Sequence, residues 1–555
     1  MNTALKKVPA APAASQSGRD LMEVLRSRQS QEMVIAFAGP IGSSIQSVMT
    51  KTKSILNELG YTRVKVIKLS KFLNEALTSN YVDALEIPAN KSEPYAHYRK
   101  LQHAGNALRE RTGNMSVLAE YAVKEIVLDR RVNKPDQHAD PSRVAYLIDQ
   151  VKRPEEVEFL RTMYRNLFYL VAVTKPHAQR RSALEEKGLE ESEIDDLMEI
   201  DRNESEEGGG QRLEKTLHLA DFFIRNDSNL DQTAPIRRFS RLIHGDKSLT
   251  PNRVETGMYA AYAAGLRSAC LSRQVGAAIL SSGGEVLATG CNDVPESGGG
   301  LYSANSTHDY RCVHRPNRTC FNDREKRKLQ TSIGEQLLPA LKELGIDSVP
   351  DGWLAKVMKG VSEKTRLGSL IEFSRSVHAE MDAIVSLARR GGPGISNATL
   401  YTTTFPCHSC ARHIVAAGIT SVFYIEPYEK SMAQMLHKDA INFDEPQQQA
   451  GTQIATKVEV AGEDLDDEPL DGYQHERVKF VHFEGVAPRL FAAVFRADNR
   501  KEKTSGRFIE MLEVSSQKVL PEYLDDYRKV ETAAVAHFDD LFKSLSDTPS
   551  LTQQQ

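Results

Sequence analysis

Four short apolar runs dominate the first third of the chain: Met33-Val34-Ile35-Ala36-Phe37-Ala38, then 64–69, 144–148 and 167–173. Each is rich in β-branched or aromatic residues, and helix-like stretches such as 154–165 separate them. Strands alternating with helices favour a parallel sheet covered on both faces, so an α/β architecture is predicted. A further strand-like segment, Phe222-Phe223-Ile224, closes this unit. Across 185–207 twelve acids face two bases and Gly208-Gly209-Gly210 follows, which is expected to be a mobile lid or solvated insert rather than core.

A second unit opens near Arg238. A helix-like run through Tyr259 and Leu266 leads to an apolar run over 275–280, a Ser281-Ser282-Gly283-Gly284 turn and a second run over 285–290, which together read as a β-hairpin. An insert over 293–372 is followed by a helix (378–390), a strand (399–404), a helix (407–417) and a strand (421–425). The polar stretch 447–468 reads as a loop, 478–483 and 490–495 as later strands, and the last fifty residues as helical with a Gln-rich tail. The expected organisation is therefore a disordered arm (1–30), a first domain (31–236), a second domain (237–500) and a helical extension with a tail (501–555).

Length and composition exclude several classes. A chain of 555 residues holds more than one ordinary core. Its 71 Lys+Arg and 75 Asp+Glu leave a net charge of -4, which argues against wholesale binding of a phosphate backbone. No apolar run is long enough to span a bilayer and the start has no continuous apolar leader core, so no membrane association and a cytoplasmic location are expected. All six cysteines fall between Cys270 and Cys410. In a cytosolic chain such clustering points to metal or catalysis rather than disulfide stapling.

The sharpest motifs are Val377-His378-Ala379-Glu380-Met381 and Phe405-Pro406-Cys407-His408-Ser409-Cys410. Zinc takes imidazole nitrogen and thiolate sulfur in tetrahedral geometry, and a catalytic zinc keeps one position for water. A Cys-x-x-Cys at a helix start turns two sulfurs toward one point, where the helix dipole favours their thiolates. His378 from a neighbouring helix would complete three ligands, leaving Glu380 to shuttle a proton without ligating. A lone Cys-x-x-Cys is equally half of a structural zinc site or a redox pair; its pairing with His-x-Glu makes the open, catalytic site the favoured reading.

With Arg273-Gln274-Val275-Gly276-Ala277-Ala278-Ile279 and Ala288-Thr289-Gly290-Cys291-Asn292-Asp293-Val294-Pro295 ahead of them, these motifs resemble the deoxycytidylate deaminase family over about 200 residues. The resemblance implies the cytidine-deaminase fold, a mixed sheet with helices on both faces. It implies hydrolysis of a deoxycytidine nucleotide to the deoxyuridine nucleotide and ammonia. His378, Cys407 and Cys410 would bind Zn2+, and Glu380 would protonate N3 of cytosine and then the leaving amine. Asn292 would hydrogen-bond the nucleoside, although asparagine is also a favoured turn residue in its own right.

Some members of that family hold a second zinc near the insert, which here carries Cys312, His314 and Cys320; reduced cysteines are also commonly small buried hydrophobes. His308, Arg311, Arg315 and Arg318 add positive charge that would suit a triphosphate or a solvated loop. In the first domain, Phe37-Ala38-Gly39-Pro40-Ile41-Gly42-Ser43-Ser44-Ile45-Gln46 has the strand, glycine loop and helix of a P-loop, with Gly39, Gly42, Ser43 and Ser44 as candidate nucleotide-binding positions. Ile45 and Gln46 stand where a working loop has lysine and a hydroxyl, so a degenerate regulatory or scaffolding P-loop-like module is expected rather than a kinase.

A kinase-like domain fused ahead of a deoxycytidylate deaminase is similar to the bacterial anti-phage dCTP deaminases. That similarity implies depletion of dCTP on infection, homo-oligomers, a regulatory nucleotide at the P-loop domain or an allosteric site, and control by an inhibitory RNA or protein. The alternative is a cytosine deaminase acting on RNA or single-stranded DNA; a single Trp and no interleaving of aromatic with basic residues argue against such a channel.

Overall fold

The computed structural model describes residues 29–133, 143–202, 210–227, 230–346, 350, 352–391, 394–427, 431–443, 476–497, 499–511 and 518–547. Most of the expected N-terminal arm, the whole 447–468 loop and the Gln-rich tail lie outside them. Two six-stranded, mostly parallel sheets carry the architecture.

The first sheet uses β1 (Met33–Ala38), β2 (Arg63–Lys68), β3 (Val144–Asp149), β4 (Phe168–Thr174) and β5 (Phe222–Arg225), all parallel in the order β5-β4-β1-β3-β2. β1 lies at the centre and every residue in it is buried. Its alternation assigns Val34, Ala36 and Ala38 to one apolar core and Met33, Ile35 and Phe37 to another, so helices cover both faces. These strands match the apolar runs of the sequence to within a residue or two.

The second sheet uses β6 (Gly276–Leu280), β7 (Val286–Cys291), β8 (Thr399–Thr404), β9 (Ser421–Glu426), β10 (Ile441–Phe443) and β11 (Val478–His482). β6 and β7 form the expected antiparallel hairpin, β8 joins β6 antiparallel, and β8, β9, β11 and β10 run parallel. Ala277 and Ile279 face one core while Ala278 and Leu280 face the other, so this sheet too is covered on both sides.

Directly after β11 the chain crosses over. β12 (Gly485–Val486) pairs antiparallel with β5 as an edge of the first sheet. The crossing is fixed by Glu255, nearly fully buried, which completes a capping box with Asn252 and also accepts from the Val486 N–H at 3.0 Å. The helix Leu524–Asp547 packs on the helix Val117–Asn133. There Arg130 forks between Glu32 (2.8 Å) and Glu531 (2.6 Å), Tyr527 donates to Glu32 and Tyr164 to Glu531. Gln29 bridges Tyr523 in antiparallel fashion beside this cluster. Segments from 237 onward therefore build part of the first sheet's edge and cover.

Two expectations are corrected. The run 490–495 is not a strand but part of the helix Pro488–Phe495: Pro488 occupies the first turn, where a missing N–H costs nothing. The acidic stretch is not a solvated lid over its described part. The helix Glu191–Arg202 buries Ile194 and Leu197 completely and packs, with Leu184 and Leu189, around Ile41 of the glycine loop. The insert 293–372 is largely helical, with helices Phe321–Glu343 and Trp353–Lys364. Among the described residues no helix is long and apolar enough to cross a membrane.

Candidate metal centre and active site

Both metal motifs begin helices. His378 is the N-cap of Ala379–Arg390 and Cys407 the N-cap of His408–Ala416, whose first turn carries Cys410. The first helix is pressed onto β7 at Gly290, where a Cβ would stand 2.2 Å from the Ala379 carbonyl oxygen and 2.5 Å from the Ala383 nitrogen. Only a residue without a side chain permits this approach. Asp382 locks the same contact by accepting from the Cys291 N–H at 3.1 Å. Cys407 caps its own helix, its sulfur accepting from the Cys410 N–H at 3.4 Å.

These helix starts converge. Among the described residues, His378, Cys407 and Cys410 alone bring three such donor atoms within 4.8 Å of one another. His378 Nδ1 lies 3.3 Å from the Cys407 sulfur and 3.4 Å from that of Cys410. Zinc–ligand bonds of about 2.0–2.3 Å at a tetrahedral angle give a nitrogen–sulfur edge of about 3.5 Å, so the arrangement fits that ion. The electrostatics agree. Hydrogen bonds from Cys410 and then His378 draw the Cys407 thiol down to about 4, and its thiolate in turn raises His378 to about 9. A thiolate held beside a proton-bearing imidazole is a place where a cation replaces the proton.

Glu380 is buried beside the cluster, accepting from the Cys410 thiol at 3.5 Å, and burial pushes its carboxyl up. His378, Glu380 and Cys407 line one wall of a cavity of about 240 Å³ that Asn292 and Phe405 also line. Asn292 spends one acceptor on the Val275 N–H (2.7 Å) and one donor on the Arg273 carbonyl (2.8 Å), bracing the ends of β6 and β7. An amide has two of each, so one N–H remains. Arg273, Lys326, Arg375 and Phe321 border the same cavity. The last three were not recognised in the sequence; they arrive through the folding of the insert and the segment after it. Glu426 accepts from Arg273 (3.0 Å) and Thr404 (2.9 Å), and His218 of the first sheet's half approaches it at 3.5 Å.

Other candidates fare differently. Cys312, His314 and Cys320 do not bring three donors together: His314 turns to Asp309 at 3.3 Å, while Cys312 and Cys320 border the cavity. His308, Arg311, Arg315 and Arg318 are not in the cavity lining. Arg311 is occupied by Asp309 and, at 3.4 Å, by Asp293, and Arg315 lies over the Phe321 ring. Gly39, Gly42, Ser43 and Ser44 form a tight turn between β1 and the helix Ile45–Glu58, far in sequence from the metal motifs.

A His-Cys-Cys group beside a buried carboxylate, set at two helix starts, has the donor set and spacing that could hold a zinc ion. The family model described as the cytidine and deoxycytidylate deaminase zinc-binding region matches residues 251–426. Over 179 residues the chain is 25% identical to the deoxycytidylate deaminase of Enterobacteria phage T2, covering 32% of this chain and 82% of that protein. It is 41% identical over 56 residues to ComE operon protein 2 of Bacillus subtilis (strain 168), covering 10% of this chain and 29% of that one. Among solved structures it is similar to the dCMP deaminase of cyanophage S-TIM5 in apo form (20% identity, 34% of this chain and 94% of that one, TM-score 0.19). It is also similar to TT1252 from Thermus thermophilus (16% identity, 40% of this chain and 99% of that one, TM-score 0.24).

Proposed function

We propose that the chain is a zinc-dependent hydrolytic deaminase of deoxycytidine nucleotides, converting dCTP, dCMP or both to the deoxyuridine nucleotide and ammonia. The observation that carries this reading is the meeting of His378, Cys407 and Cys410 beside Glu380, with His378, Glu380 and Cys407 lining one cavity. His378 and the two thiolates would hold the ion, which when bound supplies a Lewis acid able to make water nucleophilic at neutral pH. Glu380, kept from ionising readily by burial, holds a proton where it can pass to N3 of a cytosine and later to the departing amine. Asn292 offers its remaining N–H to the nucleoside, and Phe405 and Thr404 close the wall behind the base. Arg273, Lys326 and Arg375 supply positive charge at the cavity for the phosphates.

The wider reading, depletion of dCTP as a defence against phage by an oligomer regulated through its N-terminal half, rests on the resemblance of the whole arrangement. The test incubates pure protein with dCMP, dCTP, CTP and cytosine-containing single strands, following uracil products by chromatography and ammonia release. Deoxycytidine nucleotides are expected to turn over, and Glu380→Ala to lower the rate about 10²–10⁴-fold with zinc content unchanged. Deamination of the strands alone, or a fully active Glu380→Ala enzyme, would refute the proposal.

A further inference from the structure

The glycine loop after β1 has the surroundings of an anion site. Its backbone leads into the N-terminus of the fourteen-residue helix Ile45–Glu58, where N–H groups and the helix dipole favour negative charge. Two lysines reach it: Lys152 Nζ lies 3.3 Å from the Gly39 carbonyl oxygen and Lys175 Nζ 3.5 Å from Ser44 Oγ. The Ser43 hydroxyl, in a side chain that is 1% exposed, has no hydrogen-bond partner in this turn. A buried polar group without a partner marks a place where a ligand atom belongs.

An anion is already there, supplied by the chain itself. Asp201, at the end of the helix Glu191–Arg202 and 2% exposed, accepts the Ile41 N–H at 2.6 Å with one oxygen and pairs with Lys152 through the other. Around it the loop is partly covered. The Arg180 carbonyl oxygen would stand 2.7 Å from a Cβ on Gly42, and the Ile41 side chain is inserted between the helices His177–Glu185 and Glu191–Arg202. Gln46 bonds Asp149 at the end of β3, so that side of the loop is also satisfied internally. A buried carboxylate that takes both a backbone N–H and a lysine imitates what a phosphate oxygen would take.

We infer that the glycine loop is an anion site occupied by Asp201 of its own chain, and that phosphate groups compete with this carboxylate for it. The acidic helix Glu191–Arg202 then acts as a built-in plug, and the N-terminal half binds phosphate only when the plug is withdrawn or its charge removed. This inference stands apart from the deaminase reading, since it concerns neither the metal cluster nor its cavity.

The experiment compares the full chain with its Asp201→Ala variant by calorimetric titration and thermal unfolding, using inorganic pyrophosphate and, separately, ATP, at ionic strength held constant with chloride. Asp201→Ala is expected to melt below the parent in chloride, to recover on adding pyrophosphate, and to bind it at least about tenfold more tightly than the parent does. ATP binding alongside pyrophosphate identifies a nucleotide as the source of the phosphate; pyrophosphate alone identifies an inorganic one. Adding Lys152→Met to the variant must abolish the gain, which separates this loop from the basic cavity. Should Asp201→Ala not fold, Asp201→Asn keeps the size and an acceptor for Ile41 and must show a gain of the same sign. Equal affinity in parent and variant, no binding by the variant, or a gain that survives Lys152→Met would each overturn the inference.

Discussion

His244 sits under the first sheet with both ring nitrogens engaged. Nδ1 donates to the Ser240 carbonyl at 2.6 Å and Nε2 lies 3.0 Å from the Tyr61 hydroxyl, which donates to it when the imidazole is neutral. Burial pushes its pKa from 6.5 down to about 4. Between those values the unfolded chain binds a proton that the folded one refuses, so stability falls as pH drops through that window and is regained as pH rises. Replacing His244 with Asn should flatten the pH dependence of the urea unfolding free energy there; identical slopes in the two proteins would show that the ring does not control it. At this scale the sequence is readable where chemistry is local. His378 with Glu380 and Cys407 with Cys410 announce themselves because their spacing within one helix turn sets which atoms can meet. Lys326, Phe321 and Arg375 do not, because their place at the cavity depends on how the insert and the segment after it pack.

Gly290 links two elements whose separation sets how His378 meets Cys407 and Cys410. The helix Ala379–Arg390 rests directly on β7 at this position. Gly290→Ala should push that helix outward, costing about 1–3 kcal/mol by overpacking and weakening zinc retention. Melting curves and zinc content after dialysis against a weak chelator provide the check; unchanged zinc retention would mean the ligands tolerate the shift. Elements of the parallel sheets were legible because burial on both faces writes a strand as an uninterrupted apolar run. The same signature misassigns 490–495, where Pro488 starts a helix just beyond β12. Charge hid the periodicity of 191–202, since Ile194, Leu197 and Met198 make an apolar stripe among acids.

At the scale of the whole molecule, a buried ion-pair network joins the two ends of the described chain. Arg130 spans Glu32 beside β1 and Glu531 in the last helix, and the two carboxylates are 8% and 2% exposed. Arg130→Met should leave both buried without their cation, costing about 3–5 kcal/mol. Denaturant unfolding measures that loss, and a change below about 1 kcal/mol would indicate that the carboxylates find other partners. None of this was visible from composition, because residues so distant in sequence meet only after both sheets have formed.

The antiparallel bridge between Gln29 and Tyr523 adds a topological point. The described polypeptide returns to its origin and fastens there, so it is a ring with a clasp rather than two beads on a string. Tension applied at those ends would be borne first by the clasp and its arginine rivet, leaving the zinc cleft mechanically sheltered.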